Sequence, residues 1–343
     1  MKALVKYQKG DGNVEIRDMP DPQFSDDEAL MEIAHCGICG TDLHVYHDSF
    51  KNYPPVILGH EFSGRIIEAG KNIKDSGILD NTYSVLGAIA VQCGKCEYCQ
   101  RGEFMFCKNR RGMGHGVNGA FTKYAKVRPD QLFKIPEGVS MEHAALVEPL
   151  AVAVHVVEEI ADFKLGDTVL LSGPGPIGLL CMKMLAVHGL KVIVAGTSED
   201  QLRLDAAKSY GAHRVVDVQK EDLQQIIDDE TSGNGVALAI ECAGAEGSVR
   251  NCMQSLKPLG HYVQVGHFGK DLNVPWDLIA FRQLKIHGSV GYTKDTWRRT
   301  MEILGQQAID LSDVITHQFD LSDWKKGFDL MEEKKAIKIL INP

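Results

Sequence analysis

The apolar run Thr168-Val169-Leu170-Leu171-Ser172 leads directly into Gly173-Pro174-Gly175-Pro176-Ile177-Gly178 and then into a second apolar stretch over 177–188. That order predicts a buried strand, a tight glycine turn and a helix, the context in which a G-x-G-x-x-G pattern becomes a dinucleotide-binding signal. The first glycine permits the turn, the second lets a pyrophosphate approach the backbone, and the third lets helix and strand pack closely. The helix N-terminus then offers unpaired N–H groups to the anion. Gly173, Gly175, Pro176, Ile177 and Gly178 are therefore candidate cofactor contacts.

The unit repeats downstream. Apolar strands over 191–195, 214–217, 236–241, 262–265 and 285–289 alternate with helical segments over 199–210, 220–231 and 248–256. Such alternation predicts a parallel sheet with helices on its faces. Before residue 145 the pattern differs, with short strands at 2–7, 28–34, 64–68, 121–127 and 132–135 punctuated by Gly and Pro. A chain of 343 residues exceeds one typical core, so a β-rich lobe and a doubly wound α/β domain are expected. A helix over 297–306 and a strand over 336–341, returning to the first lobe, close the chain.

Cys93, Cys96, Cys99 and Cys107 stand at C-x2-C-x2-C-x7-C in a stretch without helical period. Four thiolates so close in sequence read as a tetrahedral Zn2+ cage, a structural metal that serves as the local core. Two disulfides or an iron–sulfur cluster are the competing readings. The first nine residues carry Lys2, Lys6 and Lys9 without an apolar segment, so no export signal is read and a cytoplasmic protein is expected. Nine cysteines in a reducing compartment favour zinc over disulfides. Cys181, Cys242 and Cys252 read as packing residues.

A net charge of -9 gives no basic stripe for nucleic acid. The apolar stretches at 144–157 and 177–187 are broken by Glu148, Pro149, His155 and Lys183 and are too short to span a bilayer, so no membrane segment is expected.

Cys39 lies in His35-Cys36-Gly37-Ile38-Cys39-Gly40-Thr41-Asp42-Leu43-His44, His60 in Gly59-His60-Glu61, and Glu148 in Glu148-Pro149-Leu150. With the four-cysteine loop and the glycine motif, these stretches occur in the order seen in zinc-dependent medium-chain alcohol and polyol dehydrogenases, which the chain resembles over essentially its whole length. The resemblance implies a GroES-like catalytic domain over 1–148 and 290–343, interrupted by a Rossmann domain over 149–289. It also implies an active site in a cleft and a homo-oligomer, dimer or tetramer. Glu148-Pro149-Leu150 and Glu61 are more similar to the polyol branch than to alcohol dehydrogenases with a second cysteine ligand.

By that match, Cys39 and His60 hold the catalytic Zn2+ with Glu61 or Glu148 as third ligand, and Asp42 orients His60. So hard a donor set also admits Mn2+ or Co2+. The implied reaction takes hydride from a secondary alcohol of a polyol or sugar alcohol, arabitol phosphate among the candidates, to NAD or NADP, giving the ketose. Thr41 is placed to accept the proton and pass it through the cofactor ribose to His44. The rivals are a threonine or simple secondary-alcohol dehydrogenase, a zinc-free reductase of the same superfamily, and a non-catalytic dinucleotide sensor.

Where an NAD site places an acid about 20 residues after the motif, the chain has Gly196-Thr197-Ser198. These small residues leave room for a 2'-phosphate that Arg203 would pair, although Glu199 and Asp200 are near enough to reach the ribose. NADP, or both cofactors, is the expectation. The stretch 75–85 departs from the family's usual turn, and Gly291-Tyr292 replaces an Arg-Tyr pair of sorbitol dehydrogenases, which disfavours sorbitol. Lys51, Arg110 and Arg111 could meet a substrate phosphate, with a solvated charge cluster as the plainer reading.

Overall fold

The run at 168–172 becomes the central strand Thr168–Ser172, flanked in parallel by Lys191–Gly196 and Val236–Glu241. Arg214–Asp217 lies outside the first neighbour, and Leu256–Gln264 and Lys285–Gly288 outside the second, so six parallel strands run in the Rossmann order 3-2-1-4-5-6. Leu170, Ile193, Ala239 and Tyr262 share one apolar cluster with Val249, Cys252 and Met253 of the helix Glu246–Ser255. This is how an unbroken apolar strand becomes a sheet interior.

The computed structural model describes residues 1–343, which divide into the unit Pro149–Gly291, just outlined, and the unit Met1–Glu148 with Tyr292–Pro343. In the latter, one sheet runs Ile315–Asp320, Lys338–Asn342, Ala29–Gly37, Glu61–Ala69, Thr82–Val85 and Leu132–Lys134, and Tyr124–Val127 also pairs with Ala29–Gly37. A second sheet joins Val14–Asp18, Lys2–Lys6 and Val56–Ile57. Register positions the site, because Gly37 sits opposite both Glu61 and Leu340. Residues separated by some 300 positions thereby share one strand end.

Some elements differ from the sequence expectation. The strands Val14–Asp18 and Ile315–Asp320 and the helix Trp324–Glu332 were not expected. The strand Leu256–Gln264 is longer than its apolar run. The departing stretch forms a short turn, Lys74–Ser76, and then the strand Thr82–Val85. No helix is long and apolar enough to cross a membrane.

Candidate metal centres and active site

The four cage cysteines converge, with their sulfurs all within 4.8 Å of one another. Cys93 and Cys99 sulfurs are 3.9 Å apart, against about 3.8 Å for two corners of a tetrahedron with 2.3 Å Zn–S bonds. A disulfide would need about 2.05 Å. The N–H groups of Lys95 and Cys96 bring the Cys93 thiol down to about 6, so a thiolate ligand is available near neutral pH. The loop is closed at its neck by paired hydrogen bonds between Val91 and Arg111, both 3.0 Å. These residues fit a closed structural zinc.

A second set gathers Cys39, His60 and Glu61, again with ligand atoms within 4.8 Å of one another. Asp42, 1% exposed, ties the first two together. One of its oxygens accepts the Cys39 N–H at 2.9 Å; the other accepts the Gly59 N–H at 3.3 Å and lies 3.6 Å from His60 Nδ1. Burial opposes charge on His60, but Asp42 and Cys39 outweigh it and raise its pKa well above the ordinary value. The pocket is thus built to surround a positive charge.

Glu61 is wholly buried and faces Lys338, itself 2% exposed. The ammonium donates to Glu61 Oε1 at 2.7 Å and to the Ile38 carbonyl at 2.9 Å. Oε2 lies 2.5 Å from the same nitrogen yet accepts no well-directed hydrogen bond. Burial lowers the Lys338 pKa, and Glu61 together with Cys39 and Glu148 more than offsets it, so the ammonium stays charged. A Cβ at Gly37 would collide with Glu61 Oε2, so this carboxylate needs glycine across the sheet.

Glu148 is not in the ligand cluster. Its Oε1 accepts a hydrogen bond from the Tyr292 hydroxyl at 2.8 Å, and burial together with Glu61 keeps its pKa raised. Of the two carboxylates left open by sequence, this structure places Glu61 with Cys39 and His60. Thr41 and His44 lie on the helix Gly40–Tyr46, three residues apart and hence on one face, with His44 exposed. The His44 ring meets Ser49 Oγ at 3.2 Å.

In the unit Pro149–Gly291, Gly175 caps the helix Pro176–Val187, and a Cβ there would meet nothing within 4 Å, so its backbone is open to a pyrophosphate. Gly178 packs against the Gly173 carbonyl, too close for any side chain. Glu241, wholly buried, accepts the N–H groups of Ala243 and Gly244 at 3.0 Å and fixes the loop beside Gly173. Strand Lys191–Gly196 ends at Gly196, followed by Thr197, whose N–H and hydroxyl bond Asp200 at 3.0 and 2.7 Å, and Ser198, whose hydroxyl bonds Asp217 at 2.5 Å.

Arg203 is only 6% exposed and lies 3.9 Å from Asp200. The exposed cation near Ser198 is Lys220, 2.9 Å from Asp217. Sequence reasoning also passed over Lys338 and Glu241. A lysine opening the apolar strand Lys338–Asn342 and an acid ending the apolar strand Val236–Glu241 were the available signals.

Residues 25–137 match the alcohol dehydrogenase GroES-like domain and residues 176–306 the zinc-binding dehydrogenase domain. The chain is 34% identical to a sorbitol dehydrogenase of Halalkalibacterium halodurans, over 100% of this chain and 99% of that one. It is 33% identical to the D-arabitol-phosphate dehydrogenase of Enterococcus avium, over 99% and 97%. A zinc-binding dehydrogenase of Sinorhizobium meliloti, solved bound to NADP, superposes with a TM-score of 0.89 at 30% identity, covering 100% and 99%. A closed thiolate cage, a second mixed-donor cluster and a Rossmann sheet thus occur in one chain whose whole length matches such enzymes, and the chain belongs to the polyol branch of the zinc-dependent, NAD(P)-using medium-chain dehydrogenases.

Proposed function

We propose that the chain oxidises a secondary alcohol of a polyol or sugar alcohol to the ketose, with hydride passing to NAD(P), and that Cys39, His60 and Glu61 hold the catalytic zinc. The observation that carries this is the clustered thiol, imidazole and carboxylate, with Glu148 rather than a second cysteine beside them. When bound, zinc supplies the Lewis acidity that lowers the pKa of the substrate hydroxyl, and the nicotinamide accepts hydride.

The chain's own residues do the rest. Asp42 orients Cys39 and His60 together, and Lys338 gives buried Glu61 its counter-charge. Tyr292 fixes Glu148. The Thr41 hydroxyl takes up the released proton, and exposed His44 hands it on to water. Mn2+ or Co2+ can substitute at this site, while the cage keeps zinc. NADP use, alone or beside NAD, is supported by the small residues Gly196, Thr197 and Ser198 and by Lys220.

A homo-oligomer is supported by the edge strand Lys285–Gly288, exposed throughout, and by exposed Trp276, Phe281, Ile286 and Val290 near it in sequence. Light scattering reads the state directly, and a monomer at assay concentration contradicts this assembly.

The deciding experiment offers polyols, polyol phosphates, threonine and simple secondary alcohols with NAD and with NADP and follows nicotinamide reduction. Polyol substrates are expected to be oxidised with the highest kcat/KM. Turnover of threonine or simple alcohols with every polyol inert overturns the reading.

A further inference from the structure

Among the three cations named from sequence, the structure separates Arg110 from the other two. Arg111 and Lys51 are exposed and stand over the Tyr53 ring, at 4.3 and 5.6 Å from its centroid. Arg110 is half-buried, and its guanidinium makes no hydrogen bond and no ion pair. The groups whose fields reach it are the Tyr292 phenol and the Cys107 thiol, and burial lowers its pKa. A guanidinium held partly out of water without a counter-charge is costly unless a ligand supplies one.

Its surroundings describe the place for that ligand. Tyr292, whose field reaches Arg110, donates to Glu148, the second carboxylate of the proposed catalytic site. Gly112 has no side chain, and the position a Cβ would take there is 2.9 Å from His115 Nε2 and 3.6 Å from Arg110 Nη1. His115 Nε2 and Arg110 Nη1 therefore both lie against Gly112, where a side chain would crowd them. Burial keeps His115 neutral, its pKa lowered to about 4, and its ring hydrogen-bonds the Lys51 backbone.

The zinc cage accounts for the position of this arginine. The Arg110 N–H donates to the Cys107 carbonyl at 3.0 Å, and the next residue is pinned to Val91 at the loop neck. A cage that performs no chemistry thus fixes a guanidinium near the chemistry.

We infer that Arg110 is the specificity-determining residue of this site and receives an anionic group, a phosphate ester or a carboxylate, carried by the substrate away from the carbon that is oxidised. A planar guanidinium is suited to either oxyanion through paired hydrogen bonds. The inference rests on the polyol reading for its substrate skeleton, but its test does not.

The test uses the zinc-loaded enzyme with matched substrates: a polyol, its phosphate ester and its aldonate of equal carbon number, and threonine. Wild-type enzyme should prefer one anionic form over the neutral parent by about 100-fold in kcat/KM, and the preferred form tells phosphate from carboxylate. Arg110→Gln should remove that preference while changing the neutral parent less than about threefold, and Arg110→Lys should restore part of it. Inorganic phosphate should compete with substrate in the wild type and not in Arg110→Gln if phosphate is the preferred form.

Equal losses on charged and neutral substrates, or a wild type that prefers the neutral parent, overturn the inference and leave the polyol reading intact. Inert polyols with threonine turned over in an Arg110-dependent way overturn the polyol reading and leave the inference standing. Should Arg110→Gln fail to fold, Arg110→Lys decides: charge discrimination and phosphate competition both unchanged from wild type count against the inference, and reduced discrimination with a raised KM counts for it.

Discussion

Replacing Lys338 with Met tests whether Glu61 is a buried anion shared between an ammonium and a metal. Lys338 and Glu61 are 2% and 0% exposed, so the substitution leaves a carboxylate without its counter-charge in the interior. Removing one partner of such a pair costs about 3–5 kcal/mol. The Ile38 carbonyl also loses its donor at 2.9 Å. In a unit of this size the loss corresponds to a fall in Tm on the order of 10 °C. That figure applies to enzyme whose catalytic site has been emptied by a mild chelator while the cage stays filled. With zinc restored, the divalent charge replaces the ammonium and the deficit should shrink to about 1 kcal/mol, the share of the lost hydrogen bond. The assay is thermal melting of wild type, Lys338→Met, Glu61→Gln and Lys338→Met/Glu61→Gln in both metal states, so that the cycle isolates the coupling. A deficit below about 1 kcal/mol without metal, or one that zinc does not reduce, would refute this reasoning.

Three further outcomes are expected. Gly37→Ala puts a Cβ into Glu61 Oε2 and should lower catalytic-site zinc affinity and kcat/KM by at least about 10-fold with the cage zinc retained, as read by metal analysis; a normal catalytic zinc content contradicts it. Lys220→Ala should raise KM for NADP about 10-fold and leave KM for NAD unchanged, because only the 2'-phosphate would be paired by that ammonium; parallel changes in both defeat the assignment. His44→Ala should lower kcat and flatten its pH dependence across the neutral range, and an unchanged profile removes His44 from the proton path.

The parts of this molecule that the sequence exposes are those whose partners are near in the chain. The cage spans Cys93 to Cys107 and closes on itself, and the dinucleotide turn joins one strand to the next helix, so spacing alone carried both. Cys39, His60 and Glu148 needed the resemblance, because no local spacing joins them. The Lys338–Glu61 pair crosses 277 positions and the Tyr292–Glu148 hydrogen bond 144, so neither leaves a local pattern. Arg203 shows a related limit. Position in a helix does not say which way an arginine faces, and here Asp200 and the domain interior hold it. The helix expected over 199–210 begins only at Gln201, since Asp200 bonds back to Thr197 and makes the preceding turn. The strand Val14–Asp18 went unseen because VEIRD is mostly exposed and polar, held by its ladder to Lys2–Lys6.

The central claim is that two metal sites divide the labour, Cys39, His60 and Glu61 holding the metal that reacts and the four-cysteine loop the metal that does not. It is tested by metal content and activity measured together while a mild chelator empties the more accessible site. The account predicts that activity disappears when one of two zinc ions per chain has gone, with the fold intact, and returns on adding one equivalent of zinc. Undiminished turnover with a single zinc remaining in the cage would contradict it.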